Sequence, residues 1–169
     1  FTNLKHPRSV VANGGIYMWK DGRKNWDTTT AVFDYGPTDD KTSGFQVIFS
    51  SRMHNGDENP AEIYYSNGGE LNLITNKVSS AGGLRKNHAD AMGMQPFLLA
   101  DVNLAENAAK VVASANTGAD SLTSAHMRNW MECIRSRQQP NAPVEAGYAH
   151  SVASIMTNAA VRTGLKATF

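Results

Sequence analysis

The first half of the chain consists of short segments with the composition of β-strands. They are rich in β-branched and aromatic residues and are bounded by Gly, Asn, Asp or Pro: SVVANGGIYMW, DTTTAVFDYG, GFQVIFSSRMH, AEIYYS and ELNLIT. The last two segments flank Asn67-Gly68, the preferred pair for a type I′ hairpin turn. The sequence therefore predicts an antiparallel hairpin here and, more widely, an antiparallel sheet.

Alternation along two of these segments indicates a sheet with unlike faces. One set of alternate positions is mainly apolar: Ala31, Phe33, Tyr35, Phe45, Val47, Phe49, Ser51 and Met53. The other set is mixed: Val32, Asp34, Gln46, Ile48, Ser50, Arg52 and His54. Successive strand residues point to opposite faces, so this pattern predicts a sheet that is covered on one side and faces a partner or a cleft on the other.

Residues 121–169 have the pattern of two helices and a closing strand. The first helix is predicted from apolar residues at three- and four-residue spacing, with Ser121, Thr123 or Ser124 as its N-cap. These apolar residues are Leu122, Met127, Trp130, Met131 and Ile134. Pro140 is predicted to stop this helix.

A second helix is predicted between Asn141, as its N-cap, and Gly164. Pro143 is acceptable in its first turn, and Glu145 suits the positive end of the helix dipole. Its predicted buried stripe is Val144, Tyr148, Val152, Ile155 and Ala159. The terminal KATF is short and apolar enough to form a closing strand.

Strands followed by helices predict an α+β fold: an open, mostly antiparallel β-sheet with helices packed on one face. At 169 residues the chain is expected to form a single domain. The sheet would cover residues 9–78, an irregular middle residues 79–120, and the helices and closing strand residues 121–169. Within the middle, a short helix started by Asn103 is predicted in NLAENAAKVVASA.

Composition disfavours several classes of function. Sixteen basic residues balance fifteen acidic ones, without a basic run or an acidic tail, so neither nucleic acid nor a membrane surface is an expected partner. No apolar run approaches the roughly 18 residues of a membrane span, and a soluble chain is expected. A single cysteine, Cys133, excludes an intrachain disulfide, and its position near the apolar stripe of the first helix favours a packing role over a nucleophilic one.

Common motifs of catalysis and cofactor binding are missing from the sequence. It contains no G-x-G-x-x-G, P-loop, H-E-x-x-H, C-x-x-C or G-x-S-x-G, so no dinucleotide site and no self-contained catalytic motif is predicted. The histidines, His6, His54, His88, His126 and His150, include no pair at the ligand spacing of a helix. No metal site is therefore predicted.

The loop MWKDGRKNWDT is the main candidate for ligand contact. It gathers Trp19, Lys20, Arg23 and Trp26, together with Lys24, around an Asp-Gly turn. Aromatic rings beside cations are a common means of holding sugars and carboxylates. An exposed hairpin tip, or a contact with another subunit, is the more frequent use of such residues.

The mixed face of the third strand supplies two further candidates. Arg52 and His54 lie at alternate positions there, where polar side chains on a rigid strand can orient a substrate.

Three long strings resemble a known family: HPRSVVANGGIYMWKDGRKNWDT, EIYYSNGGELNLITNKV and HMRNWMECIRSRQQPNAPVEAGYAHSVASIMTNAAVRTGLKATF. They are similar to the C-terminal domain of the glucose-fructose oxidoreductase and inositol dehydrogenase family, Gfo/Idh/MocA. The resemblance implies a dihydrodipicolinate-reductase-like C-terminal domain. In that family a separate N-terminal Rossmann domain binds NAD or NADP, and an upstream Lys and His act in proton transfer.

The resemblance implies that this chain is one part of a longer enzyme. The Rossmann domain and the catalytic Lys and His have no counterpart in it, so we expect it to hold no catalytic, cofactor-binding or metal-binding residue and to be inactive alone. It would supply the substrate-binding and oligomerisation domain of an NAD(P)-dependent dehydrogenase acting on a sugar, sugar acid or cyclitol, with homo-oligomers formed through the sheet. The expected compartment is cytoplasmic, with twin-arginine export to the periplasm as the alternative.

Two other functions remain open at this point. The chain could be a non-catalytic assembly or binding domain whose mixed sheet face is a subunit interface. It could also belong to a glycoside hydrolase that uses NAD transiently, as some relatives of the family do.

Overall fold

The computed structural model describes residues 4–53, 61–104 and 121–169, which form an α+β protein. Its elements are β1 (Ser9–Gly15), β2 (Thr28–Tyr35), β3 (Phe45–Arg52), β4 (Ile63–Ser66), β5 (Gly69–Asn72), β6 (Lys77–Ser79), α1 (Lys86–Ala91), β7 (Val102–Asn103), α2 (Ser121–Ser136), α3 (Val144–Thr163) and β8 (Ala167–Thr168). Strands precede the two long helices, so the predicted α+β class is confirmed.

The strands form two antiparallel sheets. Sheet A has the order β3-β2-β1-β8, and sheet B has the order β4-β5-β6-β7. The strands expected in one sheet over residues 9–78 are therefore divided between two sheets. The chain correspondingly has two compact units: an outer unit of residues 1–56 and 126–169, and a middle unit of residues 57–125. Alternation within a strand predicts its faces but not its neighbours, which is why the division was missed.

The core of the outer unit lies between sheet A and α3. Val10, Ala31 and Met156 are buried there. Partly buried apolar side chains pack around them: Ala12, Phe33, Val152 and Ala167. Cross-strand pairing of Val10 with Phe33, and of Ala12 with Ala31, places these residues on one face of the sheet. Helix α3 thus packs on the predicted apolar face at Ala31 and Phe33, whereas Phe45, Val47 and Phe49 on the same face of β3 stay 40–48% exposed.

The closing strand is confirmed at the other edge of sheet A. In β8, Ala167 pairs with Val10 and Thr168 pairs with Ser9. The Phe169 ring then stacks on the His6 imidazole with 3.5 Å between ring centroids. His6 is therefore explained as a residue that packs against Phe169.

Helix α3 is rotated relative to its predicted stripe. Met156 and Ala160 are its buried residues, whereas Val144 and Ile155 are 80% and 68% exposed. Of the predicted stripe, only Val152 packs against the core, and Tyr148 and Ala159 are exposed. The apolar and alanine residues of α3 lie on more than one side of the helix, so the helical period alone does not select the face that packs.

The ends of α3 agree only partly with the sequence. Gly164 caps the C-terminus with a φ of 68°, as predicted. The predicted N-cap is wrong, because Pro143 occupies that position without a side-chain capping bond. Asn141 instead donates its backbone N–H to Asn129 Oδ1 at 2.9 Å. Glu145 lies in the first turn, as predicted.

Helix α2 is confirmed, but its apolar stripe stays about half exposed. Met127, Trp130, Met131 and Ile134 are all between 43% and 48% exposed. The side chain of Leu122 lies outside the described part of the chain. The helix ends at Ser136, and Arg137 adopts a positive φ of 60°, so the chain leaves the helix before Pro140.

The predicted hairpin is present in the middle unit, with a different turn. Ser66 pairs with Gly69, so that Asn67 and Gly68 form the two-residue connection between β4 and β5. The positive φ is at Gly69, at 142°, and not at Asn67 or Gly68. The type I′ assignment is therefore wrong. A Cβ on Gly69 would lie 2.0 Å from the carbonyl oxygen of Ser79, so this position requires glycine.

The segment predicted as irregular contains α1, β7 and a bridge between Leu84 and Phe97. Asn103 ends β7 and does not begin a helix. The helix predicted in NLAENAAKVVASA covers residues 103–115, of which residues 105–115 lie outside the described ranges. Among the helices that are described, none combines the length and hydrophobicity needed to cross a membrane.

Candidate functional site

The candidate loop and Arg52 lie at the same end of sheet A. Gly15, at the end of β1, pairs with Thr28 of β2, which in turn pairs with Arg52 of β3. The loop between β1 and β2 leaves the sheet from this row. Arg52 belongs to the face opposite α3, as the alternation predicted, and its side chain is exposed. His54 lies outside the described residues.

A buried carboxylate organises the base of this loop. Asp27 is 1% exposed. Its Oδ1 accepts the backbone N–H of Tyr17 at 3.0 Å, and its Oδ2 accepts those of Met18 and Trp19 at 2.8 Å and 3.0 Å. Three successive backbone donors thus converge on one anion. These bonds fix the loop where it joins the sheet, independently of any contact made by its tip.

The ionisation of Asp27 follows from these bonds. Burial desolvates the carboxylate and acts to raise its pKa, whereas the hydrogen bonds from Trp19, Tyr17, Met18 and the Thr28 hydroxyl act to lower it. The hydrogen bonds prevail, and the pKa lies well below its ordinary value. Asp27 is therefore a stable anion inside the loop, and its oxygens are already occupied.

Near the loop tip, an ion pair is stacked on an aromatic ring. Arg23 donates from Nε and Nη2 to the two Asp21 oxygens at 2.8 Å and 2.6 Å. The side-chain hydrogen bonds from Arg23 lower the pKa of Asp21 to about 2. The guanidinium carbon also lies 4.8 Å from the centroid of the Trp19 ring. The charge of Arg23 is thus compensated locally, and one face of Trp19 is covered.

The remaining candidates differ in accessibility. The Lys20 amine donates to the carbonyl oxygen of Ile16 within the same loop. Trp26 is partly buried, while Lys24 and Arg52 are exposed. Neither Lys24 nor Arg52 forms an ion pair with any residue that the structure describes. These two cations are consequently the ones best placed to meet an anionic group.

The rest of the open face of sheet A is apolar in the centre and polar around it. Val11, Val32 and Ile48 form its central row, with Val11 50% exposed and Ile48 74% exposed. In the next row, Thr30 Oγ1 lies 3.4 Å from Ser50 Oγ. This arrangement of an apolar centre within a polar rim is common at protein interfaces.

An arginine clamp at the opposite end of the sheet was not predicted. Arg8 makes a bidentate pair with Asp34, with Nε at 2.8 Å from Oδ2 and Nη2 at 3.0 Å from Oδ1. Its Nη1 donates to the carbonyl oxygens of Pro37 at 2.8 Å, Asp40 at 2.6 Å and Ser43 at 3.3 Å. The pair lowers the pKa of Asp34. Arg8 thereby fixes the β2–β3 connection, a role without a local sequence signal.

The middle unit contains a separate cleft, which the sequence did not predict. Its volume is about 320 Å³, at the lower end of the range of small-molecule sites. The lining residues are Ser66, Asn67, Gly82, Gly83, Leu84, His88, Met92 and Met94. Histidine and methionine spaced in this way within HADAMGM are the only signal that could have indicated the cleft.

No group of three or more His, Cys, Asp and Glu side chains that could hold a metal ion occurs within residues 4–53, 61–104 and 121–169. Comparisons with protein-family models, with curated proteins and with solved structures find no match to this chain.

Proposed function

We propose that the chain is the substrate-binding and oligomerisation domain of an NAD(P)-dependent oxidoreductase acting on a sugar, sugar acid or cyclitol. The observation that carries the proposal is the loop between β1 and β2, anchored by Asp27 at the end of sheet A where Arg52 is exposed. A preorganised loop with indole rings and cations suits a ligand that has both a carbon ring and polar or anionic groups.

The contacts within the loop divide the proposed roles. Arg52 would bind a carboxylate or hydroxyl of the substrate, assisted by the exposed Lys24, while Trp19 and Trp26 would provide an apolar wall. Arg23 is held by Asp21 and lies against Trp19. Its proposed role is accordingly to fix the orientation of that ring, and it would contact the substrate less directly than Arg52 does.

The described residues do not fit a dinucleotide. Both sheets are antiparallel, and the Gly-rich strand-turn-helix of a nucleotide site is missing from the sequence. In this proposal NAD or NADP would be bound by the Rossmann domain that the family resemblance implies. Hydride transfer would take place there, and this chain would hold and orient the substrate.

An assembly domain without a role in substrate binding is the second candidate. It is favoured by the apolar row of Val11, Val32 and Ile48 on the open face, in which Ile48 is 74% exposed. Burial of such a row against another subunit would remove apolar surface from water. The two candidates assign different residues and can be tested separately.

The test compares Arg52→Ala with Arg135→Ala in the protein encoded by the complete open reading frame. Arg135 is an exposed cation in the last turn of α2 and serves as the matched control. Nicotinamide reduction is followed across sugars, sugar acids and cyclitols. We expect kcat/KM for the preferred substrate to fall about tenfold or more in Arg52→Ala, because a charge-assisted hydrogen bond is lost. The control should leave kcat/KM unchanged.

Three outcomes would count against parts of the proposal. Unchanged kcat/KM in Arg52→Ala removes the substrate role of this end of the sheet. Absence of nicotinamide turnover with every substrate removes the oxidoreductase. A stable oligomer that Ile48→Glu dissociates, combined with no sugar-induced rise in melting temperature, supports the assembly domain instead.

A further inference from the structure

The C-terminus of α1 ends in a Schellman turn that reverses the chain. Met92 is the C-cap, and Gly93 follows with a φ of 65°. The Met94 N–H donates to the Ala89 carbonyl at 2.9 Å, and the Gly93 N–H donates to the Asp90 carbonyl at 3.3 Å. These two bonds define the motif, in which the residue after the left-handed glycine returns beside the last turn of the helix.

Three residues whose side chains carry metal-binding donor atoms line the cleft at this turn. His88 and Met92 are four residues apart, and the Met92 N–H donates to the His88 carbonyl at 3.2 Å, so their side chains lie on the same helix face. In Schellman turns the side chain at the position of Met94 frequently contacts the third or fourth residue from the helix end, and the fourth is His88. All three residues line the cleft of about 320 Å³.

The donor atoms of these three side chains favour the same kind of metal ion. One imidazole nitrogen and two thioether sulfurs are soft or borderline ligands, which favour copper(I) over magnesium, calcium or manganese. Met92 and Met94 are 58% and 47% exposed, so an ion can approach both residues from solvent. Methionine side chains are also flexible enough to adjust their sulfur positions around an ion.

We propose that His88, Met92 and Met94 form a three-coordinate binding site for a soft monovalent cation, copper(I), at the C-terminus of α1. The proposal rests on the middle unit alone and is independent of any role of sheet A. No electron transfer is involved, because the ion is bound in the reduced state in which it is supplied.

The competing explanation is that exposed methionines simply form an apolar surface. The chain provides a matched comparison, since Met127 and Met131 on α2 are also four residues apart and are 45% and 43% exposed. They do not line the cleft. A specific site should distinguish the two methionine pairs, whereas general thioether affinity should not.

The experiment uses silver(I) as a redox-stable substitute for copper(I). The 169-residue chain carries Cys133→Ala, because a free thiol would itself bind the ion. With the methionine methyl groups labelled with ¹³C, the seven methionines give separate probes. One equivalent of silver(I) should shift the Met92 and Met94 methyl signals and the His88 ring signals, and leave the other five methyl signals in place.

Copper(I) affinity is then measured by competition with a coloured copper(I) chelator. We expect Met92→Leu/Met94→Leu and, separately, His88→Gln to weaken retention about tenfold or more, since each removes ligands of the ion. Leucine preserves volume and apolar character, and melting temperatures confirm that the variants fold. Met127→Leu/Met131→Leu should retain copper(I) as the parent does.

Three results would overturn the site. One is that silver(I) shifts all exposed methionines to a similar extent. Another is that the two leucine double variants lose copper(I) retention equally. The third is that the chelator removes copper(I) from the parent as readily as from Met92→Leu/Met94→Leu.

Discussion

Replacing Met156 or its neighbour Ile155 by alanine tests which face of α3 packs on sheet A. Met156 is 7% exposed and lies in the core with Val10 and Ala31, whereas Ile155 is 68% exposed. Truncation of a buried methionine removes its burial energy and leaves a cavity that the neighbours fill only partly. The core is small, so we expect Met156→Ala to lower the free energy of unfolding by about 2–3 kcal/mol, at the lower end of the range.

The neighbouring substitution should have little effect. Only about a third of the Ile155 side chain is removed from water, which corresponds to roughly 0.5–1 kcal/mol of burial. Alanine is the better helix former by a few tenths of a kcal/mol, which offsets part of that loss. The net change for Ile155→Ala should therefore stay within about 0.5 kcal/mol.

Urea unfolding followed by tryptophan fluorescence measures both changes in the relevant part of the chain. Trp19, Trp26 and Trp130, the three tryptophans, all belong to the outer unit. A low protein concentration is used, and sedimentation verifies that the variants have the same oligomeric state. If Ile155→Ala destabilised the protein as much as Met156→Ala, the observed rotation of α3 would be wrong and the predicted stripe would be restored.

Two further predictions concern the polar anchors of sheet A. The folded-state pKa of Asp27 is lowered, so this carboxylate contributes fully to the free energy of unfolding above its ordinary pKa near 4, and the contribution declines as the pH falls below that value. Asp27→Asn should be less stable at pH 7, and its unfolding midpoint should depend less on pH between about 5 and 2. An acid profile as steep as that of the parent would contradict this assignment. Arg8→Lys cannot both form the bidentate pair that Nε and Nη2 make with Asp34 and supply the Nη1 bonds to the carbonyl oxygens of the β2–β3 connection. Amide exchange in that connection should accelerate roughly tenfold, and unchanged exchange would show that the clamp is dispensable.

Local sequence signals predicted the secondary-structure elements better than the elements with which each of them pairs or packs. The Asn67-Gly68 pair located the hairpin because a two-residue connection is dictated by local backbone geometry. Gly164 marked the end of α3 for the same reason. The turn type was missed because the positive φ falls at Gly69, where a Cβ would meet the carbonyl oxygen of Ser79 on the neighbouring strand.

Long-range pairing accounts for what the sequence did not reveal. Alternation assigned Arg52 to the face opposite α3, but nothing local indicated that β3 and β4 belong to different sheets. The Arg8 clamp joins residues 26 to 35 positions apart, and the cleft beside His88 needs β4, the Gly82-Gly83 turn and α1 together. Arrangements of this kind depend on tertiary contacts, which a single sequence does not specify.

The two proposed uses of sheet A require different physical properties, and the open face provides both in separate places. Its central row of Val11, Val32 and Ile48 offers apolar surface without hydrogen-bonding groups, which suits another protein surface and would leave the hydroxyls of a sugar unsatisfied. The end of the sheet at Arg52 offers an exposed cation, without an ion-pair partner among the described residues, beside a loop whose base is fixed by Asp27. Because substrate contact and assembly would use separate rows, a substitution at Ile48 should change association without changing substrate affinity, and one at Arg52 should do the reverse.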